Sequence, residues 1–307
     1  MDQIFLIGMI AAAFRLATPI LFASLGEAVS QRAGVLNVGI EGMMLVGAFA
    51  GVWGAVATGS PWLGCVTAIF AGVALSALHG ALCLWLRVDQ IVSGIALILL
   101  GLGLSGFGYR LAFGGSSTVR VPNFQAMDLG ALSKLPVIGP AFFQLHALVY
   151  IALVLALLQW WFISRTAWGL AIRATGEDPS AAHAAGINVL RTRWACVLWG
   201  GALAGAGGAY LSIAQIGNFV EDMVAGRGFI AIACVVYGRW NPLGVLLATL
   251  FFGAADAAQI RLQALNPEIP YQFFVMLPYV LAVGALVFLS RRSRLPSALA
   301  VPFTPPR

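Results

Sequence analysis

The stretch TAWGLAIRATGEDPSAAHAAGINVLRTR, residues 166–193, is a polar, arginine-bearing island inside an otherwise almost uninterrupted apolar chain. Within it Asp178 and Pro179 form an N-cap and first-turn pair, Ser180 to Ala185 are short helix formers, and Gly186 supplies a stop. The pattern predicts one short helix lying outside a membrane, because what flanks it on both sides is long enough and apolar enough to be membrane spans. Of the 307 residues, 61% are hydrophobic and only 9% are charged, against about 25% charged in an average soluble domain. Runs of about 20 apolar residues cross a hydrocarbon core as helices. Barrel strands would alternate in short segments, whereas these runs are continuous.

The expected fold is therefore an all-α integral membrane protein, a polytopic bundle of about nine transmembrane helices (eight to ten). The spans fall near 4–26, 38–58, 62–86, 90–112, 143–163, 194–213, 219–238, 242–262 and 271–290. In the seventh, Glu221, Asp222 and Arg227 leave only 228–238 strongly apolar, which predicts a half-helix or a re-entrant start. The opening MDQIFLIGM has no positive charge before its apolar run and no small-residue cleavage signal after it, so it is expected to be a retained helix.

The net charge of +6 does not point to nucleic acid: sixteen of the seventeen basic residues are arginine, and most flank spans. With the island cytoplasmic, alternation places Arg32, Arg87, Arg239 and the tail residues Arg291, Arg292 and Arg294 on the same side. Arg120, Lys134 and Arg227 then fall on the other. This bias predicts an outside N-terminus and a cytoplasmic C-terminus. The chain reads as a single membrane domain over 1–307: a first helix group at 1–163, a loop at 164–193, a second group at 194–290 and a tail at 291–307.

Cys65, Cys83, Cys196 and Cys234 all lie in apolar stretches without metal-ligand spacing, and are expected to be packing residues, neither a metal centre nor a disulfide framework. Gly47 and Gly51, and the glycines between 200 and 208, have the spacing of closely packed helices. Trp240, in the turn sequence 239–244, is expected to anchor at the membrane interface.

Ionisable groups at membrane depth are costly and face the protein interior or water. Glu27, Asn37 and Glu41 interrupt two apolar spans within GEAVSQRAGVLNVGIEG, residues 26–42, and are candidate lining residues; the alternative is a cytoplasmic hairpin in which Glu27 and Glu41 pair with Arg32. Asn37 and Glu41 are four apart, on one face if the helix already runs through Asn37. Arg227 and Phe229, in AGRGFIA at 225–231, open a hydrophobic segment whose first amides would be free to meet a polar group. Asp256 is a further candidate for a polar path, and Arg15 and His79 are weaker ones. There is no phosphate-binding Gly-x4-Gly-Lys-Ser/Thr loop, no HExxH helix and no GxSxG elbow, so no catalytic residue is assigned.

Five ordered motifs carry a family resemblance: GEAVSQRAGVLNVGIEGMMLVGAFAG at 26–51, VDQIVSGIAL at 88–97, IRATGEDPSAAHAAGINV at 172–189, GGALAGAGGAYL at 200–211 and AGRGFIAIACVVYGRWNPLG at 225–244. Together they span nearly the whole chain, and they resemble the membrane permease subunits of ATP-binding cassette importers. The branch is that of simple sugars and nucleosides, related more distantly to ribose and branched-chain amino acid permeases. The resemblance implies that the island helix is a cytoplasmic coupling helix. Arg173, Gly176, Glu177, Pro179, Ala182 and Gly186 would then set the surface that docks into a cytoplasmic ATPase, with Ala185 also in close contact. That partner would bind ATP and Mg, leaving this chain without a cofactor of its own. The resemblance further implies a second, homologous permease in a heterodimer, an extracellular or periplasmic substrate-binding protein, and residence in a bacterial plasma membrane. An ion-coupled secondary transporter is the competing reading, with Glu41 and Asp256 as coupling residues, but it leaves the island unexplained. An integral membrane enzyme would need a convergent catalytic group.

Overall fold

The computed structural model describes residues 3–114, 120–127, 130, 139, 142–265, 268, 270–278, 280–281, 283–284 and 295–304. Among these the regular secondary structure is helical, with one isolated β-bridge, Ala126 to His146. The helices are α1 (Gln3–Arg32), α2 (Ile40–Thr58), α3 (Pro61–Gly80), α4 (Gln90–Phe113), α5 (Ala147–Arg165), α6 (Ala167–Glu177), α7 (Pro179–Ala184), α8 (Val189–Ala209), α9 (Arg227–Tyr237), α10 (Pro242–Leu265) and α11 (Tyr271–Val275). Single π-helical stretches, Ala81–Trp85 and Tyr210–Ile216, extend α3 and α8.

Seven of these segments are long and apolar enough to cross a membrane. The expected span at 219–238 is instead an irregular segment followed by the half-helix α9, whose 11 residues cover only about 16 Å. The expected ninth span, 271–290, is described only in part, and Lys134 and the tail arginines Arg291, Arg292 and Arg294 lie outside the described residues. The short island helix expected after Asp178 is present as α7, preceded by a further helix not read from the sequence, α6, and the sixth span starts at Val189, five residues earlier than read from the sequence.

Local chemistry accounts for the helix ends. Asp89 caps α4, its Oδ1 accepting from Ile91 N at 2.9 Å and Val92 N at 3.0 Å, and Gly114 ends that helix at φ 63°. Asn188 caps α8 through Arg191 N at 3.0 Å. Pro61 and Pro179 occupy first-turn positions, where a missing N–H costs nothing.

The centre of the bundle is α8, packed against α1, α2 and α3. Its most apolar window is 83% buried, against 28% for α4 on the periphery. Small residues allow this crowding. A side chain at Gly205 would strike the Ala68 carbonyl of α3, one at Gly208 the Met44 carbonyl of α2, and one at Gly47 would meet Gly205 Cα at 2.6 Å. The spacing read as close helix packing therefore serves that purpose. Valine at Gly205 is expected to force α8 away from α3, at a cost of at least about 1–3 kcal/mol. Most of the chain should then be lost from the monodisperse fraction in detergent chromatography; an unchanged profile would contradict this packing.

All four cysteines are buried and free. Trp240 is not an interfacial anchor: it is 2% exposed, and its Nε1 donates to Gln31 Oε1 of α1 at 2.7 Å.

Candidate functional site

Two polar assemblies stand out, one inside the bundle and one at the end that carries the island. The inner one begins with the entry of α2. Gly42 packs against Leu97 and Gly101, seven and eleven residues into α4, which places the start of α2 roughly 10–16 Å up the bundle from the end where α4 begins. Residues 33–39 therefore dip inward before α2 starts, and Asn37 lies in this non-helical stretch, so it does not share a helical face with Glu41.

Glu41 is 4% exposed and sits in the first turn of α2. Its Oε1 accepts from Gly226 N at 2.7 Å and its Oε2 from Gly228 N at 2.6 Å. From the first turn of its own helix, one carboxylate thus closes the amino end of α9, where unpaired N–H groups and the helix dipole both favour negative charge. Gly228 is required at this contact, since a side chain there would meet Glu41 Oε2 at 2.6 Å and its backbone N at 2.8 Å. The hairpin alternative fails: Glu41 does not pair with Arg32, and neither does Glu27.

Glu27, fully buried on α1, accepts from Gln31 Nε2 at 2.8 Å and Asn37 N at 2.9 Å through Oε1. Its Oε2 and the Asn37 Oδ1 have no protein partner. Arg32 Nε donates to the Trp240 carbonyl at 3.0 Å. Glu27 and Asn37 therefore form an internal polar knot with Gln31 and Trp240, distinct from the site at Glu41.

Arg227 opens α9 half-buried, its Nη1 donating to Val224 O at 3.1 Å and Met223 O at 3.3 Å. It is the electrostatic neighbour of both Glu41 and Asp256, and Asp222 adds a further carboxylate beside Glu41. Phe229 is 50% exposed next to them. The structure thus brings together Glu41, Arg227, Phe229 and Asp256 from the sequence-predicted set and leaves Glu27 and Asn37 apart.

Sequence reasoning assigned no place in a polar path to Arg110, Ser105, Glu221 or Asp222. A cavity of about 360 Å³ is lined by Leu102, Ser105, Phe107, Arg110, Glu221 and Asp222. Arg110 holds Glu221 in a two-pronged pair, Nε to Oε1 at 2.9 Å and Nη2 to Oε2 at 3.1 Å. The side chains are 69% and 54% exposed, so the pair adds little stability and serves to place the 217–226 segment. That segment runs from the Arg110 end of α4 down to Glu41, with left-handed backbone at Gly217, Asp222, Ala225 and Gly226. Irregular backbone at such depth persists only where it lines a polar cavity or is buried in protein.

The second assembly is the island. Asp178 Oδ1 accepts from Ser180 N and Ala181 N, both at 2.9 Å, and starts α7. Gly186 ends it at φ 86°, donating to His183 O at 2.9 Å. The exposed face consists of Glu177, Ser180, Ala181, His183, Ala184, Ala185 and Gly186, with Arg173 and Pro179 half-buried. Two residues of the expected docking set face inward: Ala182 is 3% exposed against Val189 and Phe303, and Gly176 is buried against the Arg32 carbonyl. They support the surface from behind. What remains is a short helix with small side chains, suited to close approach in a groove.

Residues 9–286 match the family model described as branched-chain amino acid transport system / permease component. The chain is 42% identical over 271 residues to a putative glucose ABC transporter permease protein of Haloferax volcanii, covering 87% of this chain and 82% of that one. It is 36% identical over 297 residues to the guanosine ABC transporter permease protein NupQ of Bacillus subtilis, covering 94% and 93%. A nucleoside ABC transporter permease protein of Lactococcus lactis, NupC, is 36% identical over 295 residues, covering 92% of each. No solved structure matches. With two polar assemblies on a multi-pass bundle and a match over most of its length, the chain belongs to the branched-chain amino acid transport system / permease component family, as a non-catalytic permease subunit of an ABC transporter.

Proposed function

We propose that this chain forms half of the translocation path of an importer for a nucleoside or simple sugar, with α7 as the surface that receives the stroke of a cytoplasmic ATPase. The observation that carries the path is the meeting of Glu41 with the amides of Gly226 and Gly228. It joins α2 to a half-helix at membrane depth, beside the exposed Asp222 and Phe229. A carboxylate at that depth cannot face hydrocarbon, so Asp222 is expected to face a water-filled path completed by a second, homologous permease. The island and the described part of the tail sit at one end of the bundle, the end assigned here to the cytoplasm, with the N-terminus outside. ATP and Mg belong to the ATPase, and a binding protein delivers the solute from outside.

Both Glu41 oxygens are engaged by backbone amides, so this buried carboxylate is accounted for without a coupling ion, which favours ATP-driven import over the ion-coupled reading. The test is purification of the tagged chain in mild detergent from its native host, followed by identification of every co-purifying protein. A P-loop ATPase and a second permease are expected. A chain that purifies alone and takes up guanosine or glucose in response to an ion gradient would overturn the proposal.

A further inference from the structure

The described tail, residues 295–304, is tied to three other elements. Ala298 N donates to Gly176 O at the end of α6 at 2.9 Å, and Ala300 N donates to Gly34 O just past α1 at 3.1 Å. Ser297 Oγ donates to Glu177 Oε2 at 3.1 Å. Phe303, 8% exposed, packs on Ala182 and Val189 beneath α7, with the His183 ring 5.8 Å away.

Through this knot runs Arg193 of α8, a guanidinium with no exposed surface. Its Nε donates to Ala33 O at 3.1 Å and its Nη1 to Val301 O at 2.8 Å, while Nη2 has no acceptor. A fully buried arginine held by two backbone carbonyls, one on each of two other segments, is costly as a packing residue alone. Gly34 is shaped to it, since a side chain there would meet Arg193 Nη2 at 2.7 Å and Ala298 O at 2.9 Å.

We infer that residues 295–304 are a strap, and Arg193 its positioning residue, that make α7 and the end of α1 move as one body. The inference rests on the reading of α7 as the ATPase-coupling surface. The consequence is a defined route for the stroke. Displacement of α7 passes through Phe303 and Val301 to Arg193 and Ala33, and so to α1. One and two residues back, Arg32 and Gln31 of α1 hold Trp240 by its carbonyl and its indole N–H. Trp240 lies three residues beyond the end of α9, and the other end of α9 is seated on Glu41. Coupling surface and path are thereby joined through α1.

The test uses the whole complex, purified through a tag on this chain and reconstituted in liposomes, with radiolabelled guanosine and glucose as probes. Arg193→Met and a chain ending at residue 294 are each expected to keep the ATPase bound and hydrolysing ATP while uptake per ATP falls by about tenfold; Arg193→Lys should recover part of it by reaching one of the two carbonyls. Wild-type uptake per ATP in both defective variants would overturn the strap. Loss of the ATPase from both complexes would show a docking surface rather than a strap, and absence of both chains from the membrane would show a folding element only. An ATPase missing from the wild-type complex would instead refute the coupling reading itself.

Discussion

Replacing Glu41 with alanine is expected to lower uptake by tenfold or more while the chain still reaches the membrane and keeps its partners. The two amides it satisfies, Gly226 N and Gly228 N, lie against a side chain that is only 4% exposed. Hydrogen bonds to a charged group contribute about 1.5–3 kcal/mol each. Losing both is enough to unseat an 11-residue half-helix, which is too short to be stable by itself. The damage stays local because α8, not α9, is the packing centre of the bundle. Glutamine in place of Glu41 presents one carbonyl oxygen and one NH2, so it can accept from only one of the two amides. The expected order of uptake is therefore glutamate, then glutamine, then alanine, with the chromatographic profile of the complex unchanged. Equal uptake by all three would mean that the α2–α9 junction is not part of the moving path.

The helical plan was legible because apolar length and arginine flanks are local signals. The half-helix was legible too, since charges at 221, 222 and 227 cannot continue a span. Asp178 and Gly186 carry their roles in their residue types, one as an acceptor for free amides and one as a tolerated positive φ. The roles that were not legible depend on partners distant in sequence. Glu41 meets amides 185 and 187 residues away, and nothing in LNVGIEG separates such a carboxylate from the buried Glu27. Trp240 reads as an interfacial aromatic beside an arginine, but Gln31, 209 residues away, takes its N–H inward. Ala182 and Gly176 sit in a motif whose neighbours are exposed, and only the packing of Phe303 and the Arg32 carbonyl turns them inward. Arg110 and Glu221 are ordinary span-end charges until the 217–226 segment folds back to join them.

Valine at Gly186 is expected to uncouple the transporter without disturbing its membrane domain. A side chain added at this position has no atom within 4 Å, so steric clash is not the cause. The cause is the backbone, held at φ 86°, which a β-branched residue adopts only at a cost of about 1–3 kcal/mol. Gly186 N to His183 O at 2.9 Å and Ile187 N to Ala182 O at 3.0 Å close the last turn of α7, and both depend on that conformation. If α7 is the coupling surface, loosening this turn lets Ser180, Ala181, Ala184 and Ala185 shift within the ATPase groove, and the stroke is lost there. Basal ATP hydrolysis should persist, its stimulation by solute should disappear, and uptake should fall by about tenfold. Asparagine, which tolerates the left-handed region, separates backbone from bulk. It is expected to retain most of the coupling despite being comparable in size to valine. Solute-stimulated hydrolysis in the valine variant would remove α7 from the coupling path, and equal damage from asparagine and valine would show that the groove reads side-chain size at residue 186 rather than the geometry of the turn.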